Sequence, residues 1–228
     1  MAGTVVFDLD GTLADTSGDL IAAANACFRA RGLAELLDPV ADALIAFHGG
    51  RAMLRAGYAR MPGDMLLPPG AEDEDYCHLL RHYGAAIAVH TRLYPGTEAA
   101  LRRLSRDGHR LAVCTNKPAG LAEQLLRDLG IRGHFAALIG ADSLPVRKPD
   151  PRPYAAAVAA AGGEVAQSFL VGDTETDRRT ASAAGVRVAL VAFGPEGPAL
   201  SRLAPEAMLA HFDDLPALAA QWLATDAA

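Results

Sequence analysis

Apolar residues in this chain fall into short runs separated by longer stretches with helical spacing. The runs cover 4–7, 110–114, 135–139, 168–171 and 186–192. Each has the length of a strand and no polar face, which is the pattern of strands covered on both sides. Between them, 97–107 carries Leu101 and Leu104 and stops at Gly108, and 119–129 carries Leu121, Leu125, Leu126 and Leu129 and stops at Gly130. Glycine just past the last apolar position is a helix C-terminal signal. The segments 151–161 and 176–184 read as further helices, and Leu215, Leu218 and Trp222 mark a last helix that docks on the core. Strand and helix in alternation predict an α/β fold, a doubly wound (Rossmann-like) parallel sheet.

The alternation is interrupted once. From Asp15 to about Arg92 no strand pattern stands out. The segment 16–31 is amphipathic, with Leu20, Ile21, Ala24 and Phe28 on one face, and Thr16-x-x-Asp19 fits a capping box at its start. Helices are also expected at 42–60 and 76–89, joined by the loop "MPGDMLLPPGAEDED", whose acidic run 72–75 reads as solvated loop. The expected organisation is a core of residues 1–14 and 93–228 with a helical cap, 15–92, inserted after the first strand.

Composition narrows the function classes. Hydrophobic residues make up 51% of the chain, enough for a substantial core, and the net charge of −6 argues against nucleic acid as a partner. The three cysteines show no zinc spacing, and no signal peptide or apolar run of about 20 residues is present. The expectation is a soluble cytoplasmic protein that binds no membrane.

The first strand ends in "FDLDGT", two carboxylates one residue apart. Ligands of open parallel sheets bind at the carboxyl ends of the strands. Residues i and i+2 project to the same side, so Asp8 and Asp10 repel in a partly dry cleft unless a divalent cation compensates. A lone Asp-x-Asp is commonplace in exposed turns. Here Thr115-Asn116, Lys148, Asp173 and Asp177 lie at or just beyond the ends of other strands. A nucleophilic carboxylate, a hydroxyl, a cation and a second acidic pair describe a phosphoryl-transfer site.

"DLDGTLADT", "TNKP", "RKPDP" and "VGDTETDRRTASAAG" resemble, in order and spacing, the four motifs of haloacid dehalogenase-like phosphatases, across nearly the whole chain. "YPGTEAALRRL" with "LAVCTNKP" resembles the bacterial phosphoglycolate phosphatases in particular. The resemblance implies Asp8 as the nucleophile that forms an aspartyl-phosphate and Asp10 as general acid/base; the dehalogenases lack that second Asp. It implies Thr115 and the Asn116 backbone as holders of phosphate oxygens, and Lys148 as the cation that offsets the transferring charge. Asp8, Asp10 (through its backbone carbonyl), Asp173 and Asp177 are implied as the Mg2+ site, Asp177 also orienting Lys148 or a water on the metal. The implied reaction is magnesium-dependent hydrolysis of 2-phosphoglycolate by a monomer or homodimer. Another small phosphorylated metabolite (a sugar phosphate, a nucleotide or pyrophosphate) and a catalytically inactive binding relative are the alternatives. No P-loop pattern is present, which disfavours a kinase of that kind.

Only two of 21 basic residues are lysine, and both, Lys117 and Lys148, fall inside these motifs. Lys117 reads either as substrate-binding or as a solvated residue at a helix start. Arg51, after His48-Gly49-Gly50 in the insertion, reads either as a contact for the non-phosphate end of the substrate or as a solvated helix residue. Related phosphatases carry a Gly-x-Gly turn there, and His48 occupies its first position. Cys114 reads as buried strand cysteine, and His78, His82 and His90 as surface or packing residues.

Overall fold

The computed structural model describes residues 3–61, 63 and 67–224. It divides into two compact units, Met1–Asp15 with Leu93–Ala228, and Thr16–Arg92.

The first unit is built on six strands. They are β1 (Thr4–Phe7), then β4 (Arg110–Cys114), β5 (Ala137–Ile139), β6 (Ser168–Gly172), β7 (Arg187–Val191) and β8 (Ala207–Leu209). The two-residue strands β2 (Ala14–Asp15) and β3 (Arg92–Leu93) flank the insertion. All pairings in the large sheet are parallel, in the order β5-β4-β1-β6-β7-β8. The chain therefore winds outward from β1 in one direction and then returns to build in the other, which puts the topological switch beside β1. Strand β8 has only three residues, of which Leu209 alone is buried, too faint a pattern for the sequence to reveal.

Helices cover both faces. Helices α7 (Pro151–Ala160) and α8 (Glu175–Ala184) bury Tyr154, Ala157, Val158 and Ala181 against Val6, Ala112, Leu170 and Val188. On the other face lie α5 (Thr97–Arg106) and α9 (Leu215–Leu223). There Trp222 meets Phe169 edge-on, with ring centroids 5.1 Å apart. Helix α6 (Ala119–Asp128) follows β4.

The helical unit holds α1 (Ser17–Ala30), α2 (Ala43–Ala46), α3 (Gly50–Tyr58) and α4 (Ala71–Ala85). Three expectations change here. The continuous helix over 42–60 breaks into α2 and α3, because Gly49 sits at φ 94°, outside the helical region. The acidic run Glu72–Asp75 is not loop but the start of α4, which extends from Ala71. Carboxylates there interact favourably with the exposed amides of the helix N-terminus. Part of the loop expected over 61–75, residues 62 and 64–66, lies outside the described residues. The Thr16 capping box does not form. Thr16 makes no side-chain cap hydrogen bond, and the Asp19 carboxylate accepts instead from the backbone amides of His90 and Thr91 and from the Thr91 hydroxyl at 2.7 Å.

Candidate active site

The chemistry collects at the carboxyl end of the large sheet, next to the switch point. Asp8 directly follows β1, and its amide donates to the Val171 carbonyl of β6 at 2.9 Å, so the sheet ladder itself holds the backbone under the carboxylate. Gly11, at φ 80°, makes the turn that follows Asp10.

Lys148 reaches in from the loop before α7. Its Nζ lies 2.6 Å from Asp177 Oδ1 and 3.0 Å from Asp8 Oδ1, close enough for charge pairing though not aligned with Asp8 as a hydrogen bond. The Lys148 and Asp177 side chains are 2% and 0% exposed. Burial works to lower the lysine's pKa, but Asp177 and Asp8 outweigh it and hold the ammonium charged, above the ordinary lysine range. The Asn116 side chain donates to the Lys148 carbonyl at 3.0 Å and fixes that loop.

Asp177 is the N3 residue of α8. Its Oδ2 accepts from the Thr174 hydroxyl at 2.7 Å and from the amides of Asp173 and Thr174, while the Thr174 hydroxyl accepts from the Asp177 amide. This is a full capping box. It leaves Asp177 with one oxygen in the helix cap and the other on Lys148. Gly172 makes room for it, since a Cβ there would lie 2.5 Å from the Asp177 side chain.

Asp173, fully buried, accepts from the Thr12 hydroxyl through Oδ1 at 2.6 Å. Its Oδ2 is buried and has no hydrogen-bond partner among the described residues. Carboxylate oxygens of Asp8, Asp173 and Asp177 lie within 4.8 Å of one another. Burial raises the Asp8 carboxyl to about 6; Lys148 pulls it down, and Asp177 and Asp10 push it up. Burial also raises Asp173 well above the carboxylate range, with repulsion from Asp8 and Asp177 added. A carboxylate buried without a donor is costly. An orphaned oxygen among converging hard oxygen donors is what a divalent cation would satisfy. The residues present therefore fit a metal held by Asp8 and Asp173. Asp177 is already committed through both oxygens and serves better as an orienting group than as a direct ligand.

Asp10 turns to the other lysine. Lys117 Nζ lies 2.6 Å from Asp10 Oδ1, with the two side chains 5% and 18% exposed. Thr115, at the end of β4, donates its amide to the Ile139 carbonyl at 3.0 Å and accepts the Lys117 amide on its hydroxyl at 3.1 Å. Cys114 beside it is buried, and burial pushes its thiol up to about 12, which leaves no thiolate for nucleophilic chemistry.

Of the residues singled out in the sequence, Asp8, Asp10, Thr115, Asn116, Lys117, Lys148, Asp173 and Asp177 are thus linked by direct contacts in one unit. Arg51 belongs to the other. Its guanidinium pairs with Asp73 at 2.7 Å, lies 3.5 Å from Glu72 and stacks on Tyr76 at 4.5 Å from the ring centroid, with the side chain 43% exposed. Gly50 beside it packs closely on the ring, and a Cβ there would crowd Tyr76 at 3.0 Å. Two site residues escaped the sequence reading. Thr12 carries no pattern that announces its bond to Asp173. Thr174 does: Thr174-x-x-Asp177 is the same capping-box signature that was assigned to Thr16-x-x-Asp19.

The family model of the haloacid dehalogenase-like hydrolases matches residues 2–185. A phosphoglycolate phosphatase of Cereibacter sphaeroides is 40% identical over 228 residues, covering 96% of this chain and 99% of its own. One from Mesorhizobium japonicum is 38% identical over 212 residues, covering 92% of each. Among solved structures, a predicted phosphoglycolate phosphatase from Haemophilus somnus superposes with a TM-score of 0.84 at 25% identity, covering 95% of this chain and 97% of that one.

Proposed function

Because this chain belongs to the haloacid dehalogenase-like hydrolase family, we propose that it is a magnesium-dependent phosphomonoesterase that hydrolyses 2-phosphoglycolate to glycolate and phosphate. The observation that carries the reaction type is the strand-end carboxylate Asp8, flanked by the buried cation of Lys148 at 3.0 Å and by the orphaned oxygen of Asp173. The substrate is supported by relatives of that activity that match almost from end to end.

In this reading Asp8 attacks phosphorus and becomes an aspartyl-phosphate, while the bond from phosphorus to the bridging oxygen breaks. Asp10 gives its proton to the departing alkoxide. It then takes a proton from the water that attacks the intermediate, so free phosphate leaves and Asp8 is restored. Lys148 stands beside the attacking oxygen, where it offsets charge shared between carboxylate and phosphoryl group. The Thr115 hydroxyl and the backbone at Asn116 hold phosphoryl oxygens. Asp8, the Asp10 carbonyl and Asp173 would hold Mg2+, which when bound polarises the phosphoryl group and lowers repulsion between it and the nucleophile. Asp177 keeps Lys148 charged and in place. Arg51 is the candidate for the substrate carboxylate, a pairing that requires it to exchange its Asp73 partner.

The test is hydrolysis of a panel of phosphate esters with and without Mg2+. Preference for 2-phosphoglycolate, abolished by EDTA and restored by magnesium, is the expected result. A wide preference for a sugar phosphate, nucleotide or pyrophosphate removes the substrate assignment and leaves the chemistry. No turnover of any ester removes both.

A further inference from the structure

The two lysines of this chain divide the two aspartates of the first motif between them. Lys148 stands against Asp8 and Lys117 against Asp10. We propose that Lys117 is a positioning residue for the reaction, one that acts through Asp10 and not through the substrate: its ammonium fixes the direction of the Asp10 carboxylate. This rests on the reading of Asp10 as the proton donor to the leaving group.

Several independent features tie the ammonium to that place. The Nζ to Oδ1 distance of 2.6 Å is short, and the lysine side chain is 5% exposed, so the pair is shielded from competing water. The backbone of Lys117 is locked at both ends. Its amide donates to the Thr115 hydroxyl, and its carbonyl accepts the Ala141 amide at 2.9 Å. The loop is packed so closely that a Cβ at Gly140 would stand 2.8 Å from the Lys117 carbonyl and 2.5 Å from the Ala119 amide nitrogen. Lys117 is therefore presented by rigid backbone rather than by a mobile tip. Rotation about the last bond of an aspartate is soft. A strong charge-assisted bond to one oxygen restricts it, and orientation of a proton donor by a fraction of an ångström changes rate. The composition agrees: a chain that otherwise uses arginine places a compact point donor here, where a planar fork would demand more room and more acceptors.

The readout is leaving-group dependence, because an alkyl phosphate needs a proton at its departing oxygen and p-nitrophenyl phosphate does not. Lys117→Met keeps length and removes the charge. Single-turnover formation of the phosphoenzyme should slow about tenfold or more for 2-phosphoglycolate and less than about threefold for p-nitrophenyl phosphate, with KM nearly unchanged for both. In an Asp10→Asn background Lys117→Met should add little, because the group it acts through is gone. Lys117→Arg, which restores charge, should recover part of the rate, and thermal melting shows whether each variant is folded. A merely structural lysine would slow both esters alike. A substrate-binding lysine would raise KM and multiply with Asp10→Asn. Either result overturns the proposal. A wild-type enzyme that forms no phosphoenzyme at Asp8 overturns the reading beneath it and this inference with it. A labelled Asp8 with no leaving-group effect overturns this inference alone.

Discussion

Buried charge is handled differently in the two units. In the helical unit the three buried aspartates, Asp19, Asp42 and Asp75, each accept hydrogen bonds from fixed donors. Asp42 takes both terminal nitrogens of Arg60, each at 2.6 Å. Asp75 accepts from the Arg31 guanidinium and the Tyr58 hydroxyl, and Asp19 from two backbone amides and a threonine hydroxyl. In the α/β unit, four aspartates meet two lysines at the end of the sheet, and a buried oxygen of Asp173 is left over. A satisfied buried carboxylate fixes a structure; an unsatisfied one holds a place for something else. Among the buried aspartates, that difference separates scaffold from candidate site without reference to any motif.

The comparison breaks most visibly at Asp8, the proposed nucleophile. Asp8→Asn keeps the shape and removes the attacking charge, so turnover should fall by roughly four orders of magnitude. The melting temperature should hold, because burial already disfavours the Asp8 charge. Radiolabelled phosphate trapped on a serine, histidine or cysteine of the wild-type enzyme would end the mechanism.

Lys148→Ala comes next. In the proposed mechanism the lysine's cation faces the phosphoryl group, and removing it should cost about 10²–10³ in kcat. It also leaves Asp8 and Asp177 buried without their shared partner, a destabilisation of about 3–5 kcal/mol by chemical denaturation. Near wild-type turnover would show that Lys148 faces something other than the transferring group.

Metal should act on stability with a definite sign in pH. The folded protein holds the Asp8 proton to about 6, against 3.8 for the ordinary group. Between those values the folded state binds more protons than the unfolded one, so metal-free stability falls as pH rises through that window. A cation competes with the same proton and binds better once it is lost. Magnesium should therefore raise the melting temperature more at about pH 7.5 than at about pH 5. An equal shift at both would mean that the metal binds elsewhere.

Asp75→Ala tests the other side of the comparison. It removes the partner of Arg31 and Tyr58 and should lower the melting temperature by roughly 5 °C or more. Turnover of p-nitrophenyl phosphate at 25 °C should stay within about threefold of wild type. A loss as large as that of Lys148→Ala would place Asp75 in the machinery.

The smallest effect is expected at Arg51. If it reads the substrate carboxylate, Arg51→Ala raises KM for 2-phosphoglycolate about tenfold, or 1.4 kcal/mol, and leaves p-nitrophenyl phosphate unchanged. Equal change in both assigns it to the Asp73, Glu72 and Tyr76 cluster alone.

Strand and helix alternation, the parallel sheet and the interruption after the first strand were legible because each rests on local hydrophobic periodicity, a property of consecutive residues. The roster of Asp8, Asp10, Thr115, Lys148, Asp173 and Asp177 was legible for a related reason: fold logic sends strand ends to one place, so residues at those ends gather. What the periodicity could not convey was competition. Thr16-x-x-Asp19 and Thr174-x-x-Asp177 are equivalent as strings, yet only the second forms a capping box. Asp19 finds better donors at His90 and Thr91, more than seventy residues away in sequence. The helix expected over 42–60 breaks at a left-handed glycine, and the acidic run 72–75 joins a helix once its charges lie against exposed amides.

Sequence alone, then, determined the fold class and which residues gather at the strand ends, since both follow from spacing along the chain. Tertiary structure decided the partners: Lys148 with Asp177 and Asp8, Lys117 with Asp10, Thr12 with Asp173, and Asp173 Oδ2 left over. Lys117 and Asp10 are separated by 107 positions. A charged pair is selected by distance and burial across such gaps, and neither quantity exists until the sheet has brought the strand ends together.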